Sequence, residues 1–358
     1  MTELRNRAMA IRATFEAAGA VVVEPPVLQP AETLLDLYGE DIRARAYVTS
    51  DALWGEQMLR PDFTVPVVQM HMAQGAEPAR YTYAGEVFRR QEEDPDRASE
   101  YLQVGYEVFD RSNPAAADAE VFALMSDAVS HLDVRAATGD IGILMAAVRG
   151  LKTTDRRKAA LMRHIWRPRR FRALLDRFAG RTEVPASRAA LLAKTSALTD
   201  IGPVVGKRTH AEIEVRIAAL HKDAVTDPIS AAEMDVIDVL LQVRETIPFA
   251  IQQLRDLMVD MPAIGVAVEG LQARCDALDA RGIDVDKLPF EASYGRTSME
   301  YYDGFVFGFY ANGRADMPAL ASGGRYDALT RRLGNGAEIP AVGAVVRPDL
   351  MVELEAAQ

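Results

Sequence analysis

Three short blocks and a tyrosine pair hold most of the side chains in this chain that could do chemistry. They are Leu59-Arg60-Pro61-Asp62-Phe63-Thr64, the run Gly85 to Asp110 (GEVFRRQEEDPDRASEYLQVGYEVFD), Tyr301-Tyr302 within MEYYDGFVF, and Ser322-Gly323-Gly324-Arg325-Tyr326-Asp327. Together they supply two carboxylates (Asp62, Glu107), a guanidinium (Arg89), an amide (Gln103), a hydroxyl (Thr64) and three phenols (Tyr301, Tyr302, Tyr326). An amino acid presents a carboxylate, an ammonium and a side chain, so a pocket selective for one needs a cation, a carboxylate and a shape-specific partner placed together. These blocks offer all three. Singly, each has an ordinary explanation, because Asp after Pro is usually a turn residue and a tyrosine pair in a strand is usually half-buried packing. The ordered set is what favours a binding site. No cofactor motif and no Cys/His cluster with metal-ligand spacing accompanies it.

The elements that must position these residues are legible from periodicity. Leu4, Ala8, Ile11, Phe15 and Ala18 recur at helical spacing and Gly19 follows as a stop, so the chain opens with an amphipathic helix. Ala20 to Glu24 is apolar and β-branched and ends at Pro25-Pro26, which predicts a strand. Tyr81 to Val87 and Tyr101 to Phe109 read as strands flanking a polar turn, which places Arg89 and Gln103 on neighbouring antiparallel strands facing one cleft. Asn113-Pro114 caps a following helix. After Pro289 the strand pattern returns in FEASYGRTSMEYYDGFVFGFYA and near ALASGG, then a helix over Arg325 to Leu333, a last strand over Ile339 to Val346, and a terminal helix from Pro348 to Gln358.

From about Leu151 to about Arg281 the pattern is almost wholly helical and reads as an insertion, so the expected domains are a core of 1–150 and 282–358 and an inserted unit of 151–281. Its first part is basic: nine Arg and Lys residues fall between Arg156 and Arg177. These are either solvated helical faces or a docking surface for an acidic partner or a phosphate. The whole chain has 358 residues, 49% of them hydrophobic, and a net charge of −11. Nucleic-acid binding draws on Lys and Arg contacts to phosphates, so transfer RNA is an unfavourable partner. The single cysteine, Cys275, forms no internal disulfide, and the start of the chain lacks a signal core, so a reducing cytoplasm is expected. No apolar run approaches the roughly 20 residues a membrane-spanning helix needs, and no membrane association is expected.

These blocks, in this order, resemble the histidine pocket of the histidyl-tRNA synthetases, a class II synthetase family. The resemblance covers most of the chain outside the helical insertion. It implies an α+β fold, with an antiparallel sheet flanked by helices, and a homodimer built on the first helix, strand and prolines (GAVVVEPPVLQP). Residue by residue it implies that Asp62 and Thr64, in the block matching the family's LRPE-T, lie near the α-ammonium, with Asp one methylene shorter than the usual Glu. Arg89 in VFRRQ falls on the arginine that grips the carboxylate. Gln103 and Glu107 fall on positions near the ammonium and the imidazole. Tyr301 and Tyr302 fall on the pair lining the imidazole, with Tyr326 beside them.

The departures from that family are equally specific. The second class II motif carries Arg-x-Glu, whose acid positions adenine, whereas this chain has Arg89-Arg90-Gln91. The loop that meets ATP phosphates is usually basic and here reads Glu92-Glu93-Asp94-Pro95-Asp96. At about 6 Å and an effective dielectric near 20, each acid opposes one phosphate charge by roughly 3 kcal/mol before salt screening. In the third motif Leu350 stands where an ATP-binding arginine is expected, with Arg347 three residues earlier. Arg296 lies one position too early for a second activating arginine, with Thr297 in register. The chain ends soon after the third motif, where a synthetase continues into an anticodon-binding domain.

A histidine pocket without activation chemistry resembles the regulatory subunits of ATP phosphoribosyltransferase, paralogues of the synthetase. That resemblance implies a non-catalytic sensor of L-histidine that assembles with the short-form catalytic subunit into a hetero-octamer. The alternatives are a truncated class II ligase that activates histidine with ATP, and a scaffold with a vestigial pocket.

Overall fold

The computed structural model describes residues 2–38, 42–90, 97–193, 205–296 and 301–356. The first half runs α1 (Thr2–Ala17), β1 (Val21–Val22), β2 (Leu28–Pro30), α2 (Ala31–Tyr38), α3 (Ile42–Arg45), β3 (Val48–Asp51), β4 (Gly55–Leu59), α4 (Thr64–Gln74), β5 (Ala79–Phe88), β6 (Glu100–Phe109), α5 (Pro114–Val129), β7 (Val134–Asp140) and α6 (Ile141–Gly150). Helices α7 (Asp155–Arg163), α8 (Pro168–Phe178), α9 (Ala186–Leu192), α10 (His210–Ala224) and α11 (Ala231–Gln242) follow. The chain closes with β8 (Arg244–Thr246), α12 (Ile247–Asp260), α13 (Gly265–Asp279), β9 (Pro289–Glu291), β10 (Phe305–Ala311), β11 (Ala321–Arg325), α14 (Asp327–Leu333), β12 (Ala341–Val346) and α15 (Pro348–Ala356).

Among the described residues nine strands form one mixed sheet in the order β1-β5-β6-β12-β11-β10-β7-β9-β8; its central strands β5, β6, β12, β11, β10 and β7 run antiparallel to one another, and β1 and β9 join β5 and β7 in parallel. A small second sheet, β2-β4-β3, carries the chain into the Leu59 to Thr64 block. Side chains alternate across a strand, so the register separates the two faces of the large sheet. Val104, Tyr106 and Val108 face α1 and α5, where Ala8, Ile11 and Phe15 of α1 are buried as their spacing predicts. Gln103, Gly105 and Glu107 face the other way, in register with Gly85, Tyr83 and Tyr81 of β5. That second face holds the site.

Two buried arginines tie the helical layer to the sheet. Arg274 of α13 donates to Asp118 Oδ2 (2.8 Å) and Asp140 Oδ2 (2.9 Å), and Arg325 donates to Asp118 Oδ1 (2.7 Å). Asp140 also caps α6 by accepting from Gly142 N–H at 2.8 Å, and Asn113 caps α5 by accepting from Ala116 N–H at 3.0 Å, as its place before Pro114 predicts.

One sequence expectation is corrected here. The run FEASYGRTSMEYYDGFVFGFYA is not strand throughout: β9 ends at Glu291, a turn follows with Gly295 at φ +85, and Tyr301-Tyr302 stand before β10 and outside any strand. A residue at positive φ cannot continue an extended strand, so the aromatic run there reflects burial and not β-structure. Residues 244–281, expected within the insertion, include β8 at the edge of the large sheet and α13 packed on α5. We propose on that ground that the insertion proper is 151–243.

Candidate functional site: a buried carboxylate ringed by hydroxyls

Glu107 sits toward the C-terminal end of β6 and is 1% exposed. A carboxylate so placed is tolerated only when its oxygens are occupied by donors, and the surrounding elements supply them. Thr64 Oγ1 donates to Glu107 Oε1 at 2.9 Å from the first turn of α4, and Tyr83 Oη donates to the same oxygen at 2.8 Å from β5. Tyr326, at the junction of β11 and α14, donates to Oε2 at 2.5 Å. Burial pushes the Glu107 carboxyl up to about 7; these three hydroxyls oppose that rise and the nearby Asp62 adds to it. A carboxylate has about four acceptor positions. Three are filled, which leaves one for a donor from a ligand.

The room for this group comes from the neighbouring strand. Gly343 of β12 lies directly opposite Glu107, and a Cβ at 343 would stand 1.4 Å from Glu107 Oε2. Gly105 does the same for Tyr83, whose ring atom Cζ would be 2.1 Å from a Cβ at 105. Tyr83 in turn stacks on Phe63 with centroids 4.2 Å apart, and Arg60 lies over the far side of that system, 3.9 Å from the Phe63 centroid. Arg60 Nη1 donates to Pro25 O at 2.6 Å and its Nε to Glu86 O at 2.9 Å, so the Leu59 to Thr64 block is pinned to β5.

Asp62 lies 4% exposed just before α4, where Oδ1 accepts from Val65 N–H at 3.2 Å, and the helix N-terminus favours its negative charge. Arg89 follows β5; its Nη2 approaches Asp62 Oδ2 at 4.0 Å and its Nε donates to Pro61 O at 2.6 Å. Gln103 is 3% exposed on the face of Glu107, and its Oε1 accepts no hydrogen bond among the described residues. That oxygen is available to an ammonium. Tyr301 and Tyr302 meet edge to face at 4.9 Å, and Tyr301 meets Tyr326 at 6.1 Å. Burial raises the Tyr302 and Tyr326 phenols above their ordinary range, and the Glu107 charge raises them further, so both remain donors at neutral pH. Asp303 fixes the turn after the pair by accepting from the N–H groups of Asp327 (3.0 Å) and Ala328 (2.6 Å) at the start of α14.

Glu107, Thr64 and Tyr326 are thus in direct contact, with Asp62 joined to Arg89 at the helix end and Tyr301 edge to face with both Tyr302 and Tyr326. Gln103 shares the face. Sequence reasoning missed Tyr83, although its position two residues before Gly85, opposite Gly105, was the available signal. It also missed Gly343 and the insertion residue Trp166, whose Nε1 donates to Tyr302 O at 3.1 Å.

The positions expected to handle nucleotide are arranged differently. Leu350 is 2% exposed in the packed helix α15. Arg347 lies 4.0 Å over the Tyr101 ring and donates to Asp349 at 2.9 Å. Arg296 turns toward the insertion: its Nε donates to Ile165 O at 2.9 Å and its guanidinium lies 4.8 Å from the Phe171 centroid. The acidic loop 91–96 and Thr297 lie outside the described residues. No cluster of three or more His, Cys, Asp or Glu side chains able to hold a metal occurs among the described residues, and no described helix is long and apolar enough to cross a membrane.

A large antiparallel sheet flanked by helices, with the polar site on its open face, defines a class II aminoacyl-tRNA synthetase-like core, and the α+β expectation holds. Residues 1–211 and 209–350 match the family model described as histidyl-tRNA synthetase. The chain is 31% identical over 357 residues to the ATP phosphoribosyltransferase regulatory subunit of Brucella anthropi and 32% identical over 358 residues to that of Brucella ovis, each alignment covering 93% of both chains. It therefore belongs to the histidyl-tRNA synthetase-like family of ATP phosphoribosyltransferase regulatory subunits. In fold it is similar to a Bacillus halodurans structure described as an ATP phosphoribosyltransferase regulatory subunit/histidyl-tRNA synthetase (TM-score 0.67, 21% identity, 99% of this chain and 78% of that one). It is likewise similar to the histidyl-tRNA synthetase of Nostoc (TM-score 0.64, 16% identity, 99% and 72%).

Proposed function

We propose that this chain is a non-catalytic regulatory subunit of ATP phosphoribosyltransferase. In this reading it binds L-histidine as feedback effector and is required for full activity of the short-form catalytic subunit, in the first step of histidine biosynthesis. The observation that carries it is the contrast between the assembled pocket and the altered nucleotide motifs of the sequence. Glu107 keeps one acceptor position open among three hydroxyl donors, while Leu350 and Gln91 stand where a synthetase needs groups for ATP.

The imidazole of histidine fits the open position on Glu107 between Tyr302 and Tyr326. Its ammonium fits Asp62, Thr64 and Gln103, and its carboxylate fits Arg89. Unpaired buried polar groups cost about 1–3 kcal/mol each, so an amino acid lacking the imidazole nitrogens is rejected. Regulation then needs only that histidine bind one arrangement of the complex more tightly than another, and about 1–3 kcal/mol of difference gives roughly 5- to 150-fold coupling.

The same reading takes the chain as a cytoplasmic homodimer within a hetero-octamer of regulatory and catalytic subunits, without tRNA as a ligand. Exposed Val21, Val27 and Leu28 in the first strand and proline segment support self-association there. The test is calorimetry of the pure chain with L-histidine, beside exchange of labelled pyrophosphate into ATP in the presence of histidine. Saturable binding with no exchange is expected. Robust exchange favours the truncated ligase instead, and the absence of binding favours a scaffold.

A further inference from the structure

The tyrosine pair is held from outside the sheet. Arg296, upstream of the pair, and Tyr302 within it are tied to consecutive residues of the insertion. Arg296 Nε donates to Ile165 O at 2.9 Å, and Trp166 Nε1 donates to Tyr302 O at 3.1 Å. Ile165 and Trp166 form the turn between α7 and α8, and Ile165 is fully buried. Arg296 is 6% exposed, with its guanidinium against Phe171 of α8, and burial pushes it down to about 10. A buried guanidinium held by a carbonyl and a ring is poor for stability but fixes one geometry. Tyr302 has little freedom of its own, because a Cβ at Gly324 would already stand 2.8 Å from its Cδ1. A shift of the α7–α8 turn therefore moves the Tyr302 backbone, and a ligand that pulls on Tyr302 moves the turn.

We infer that Ile165 and Trp166 are positioning residues for the histidine pocket, acting through Arg296 and Tyr302, so that the helical insertion registers whether the pocket is filled. This rests on the histidine reading above. It makes the insertion the element that passes occupancy outward, and it assigns the α7–α8 turn a role that the core residues cannot fill.

The chain has two tryptophans, and Trp54 is 78% exposed at the β3–β4 turn, away from the site. In the full-length Trp54→Phe protein, Trp166 is the sole indole and reports on the turn directly. Titration with L-histidine is expected to change Trp166 emission with the midpoint found by calorimetry. Trp166→Phe keeps an aromatic ring but removes the Nε1 donor with part of the indole bulk, and is expected to weaken histidine binding roughly 2- to 10-fold. Arg296→Lys, which loses the Nε donor but keeps the charge, is expected to weaken it in the same direction. Calorimetric binding of histidine with unchanged Trp166 emission overturns the inference, as does parental affinity in a folded Trp166→Phe protein. If Trp166→Phe does not fold, the emission titration decides alone. Absence of histidine binding in the parent overturns the histidine reading and this one with it.

Discussion

At the scale of single residues, the chemistry concentrates on Glu107, and its surroundings make its behaviour testable. The ligand-facing acceptor is charge-assisted, so Glu107→Gln is expected to weaken histidine binding by about 1.5–3 kcal/mol, roughly 10- to 150-fold, in calorimetry. The same residue sets a pH dependence. Its carboxyl in the folded chain stands at about 7 against an ordinary 4.5, because burial disfavours the charge. The folded state then holds a proton that the unfolded state releases. The associated stability is complete below about pH 4.5 and is lost as pH rises through about 7. Its full size is on the order of 3 kcal/mol. Asp303, also raised to about 7 by burial and by Asp327, acts in the same sense. Urea melts at pH 5 and pH 8 should therefore show a smaller drop in stability for Glu107→Gln than for the parent, with the Asp303 contribution common to both. Glu107 was singled out in the sequence through the resemblance of its Gln103-x-x-x-Glu107 block, and of the interval from Arg89, to the synthetase family. Tyr83 was not, because its hydroxyl reaches Glu107 only through a cross-strand pairing with a glycine, and pairing partners are not adjacent in sequence.

At the scale of elements, the glycines of β6 and β12 do what no side chain at those positions could. Gly343→Ala places a methyl on top of Glu107 Oε2, and β12 cannot move aside while paired to both β6 and β11. Overpacking of this kind costs about 1–3 kcal/mol, and here it also displaces the acid proposed to bind histidine. The substitution should lower the urea midpoint and remove histidine binding, whereas Gly270→Ala, on α13 with nothing within 4 Å, should leave binding intact. On the helical side, Asp118→Ala removes the carboxylate shared by Arg274 and Arg325 and leaves them with Asp140 and Asp327, and loss of one partner from a buried pair costs up to about 3–5 kcal/mol. Differential unfolding of that variant against the parent measures it. The long strands β5 and β6 and the caps at Asn113 and Pro348 were readable from alternation and punctuation. The three-residue strand β8 was not. It lies within helical pattern and acquires its state from the sheet edge it joins, which is a tertiary cause.

For the whole molecule, the decisive quantity is the coupling between histidine and the catalytic partner. If the chain is a regulatory subunit, the two ligands are linked, and the factor by which the partner changes histidine affinity equals the factor by which histidine changes assembly. Histidine binding itself can be measured on the chain alone, since histidine at 100 times its Kd should stabilise the fold by about 2.7 kcal/mol, and a Glu107→Gln chain should show much less at the same concentration. The linkage needs the complex. Histidine Kd should be measured on the isolated chain and again with saturating catalytic subunit, and the subunit Kd with and without histidine. The two ratios must agree. Equal ratios different from one establish the linkage and give its size, and ratios both equal to one mean that histidine binds without regulating. In that event the pocket on the open face of the sheet would be retained for some purpose other than control of the partner, and the contrast between a filled histidine site and an altered nucleotide site would have to be explained on the chain itself.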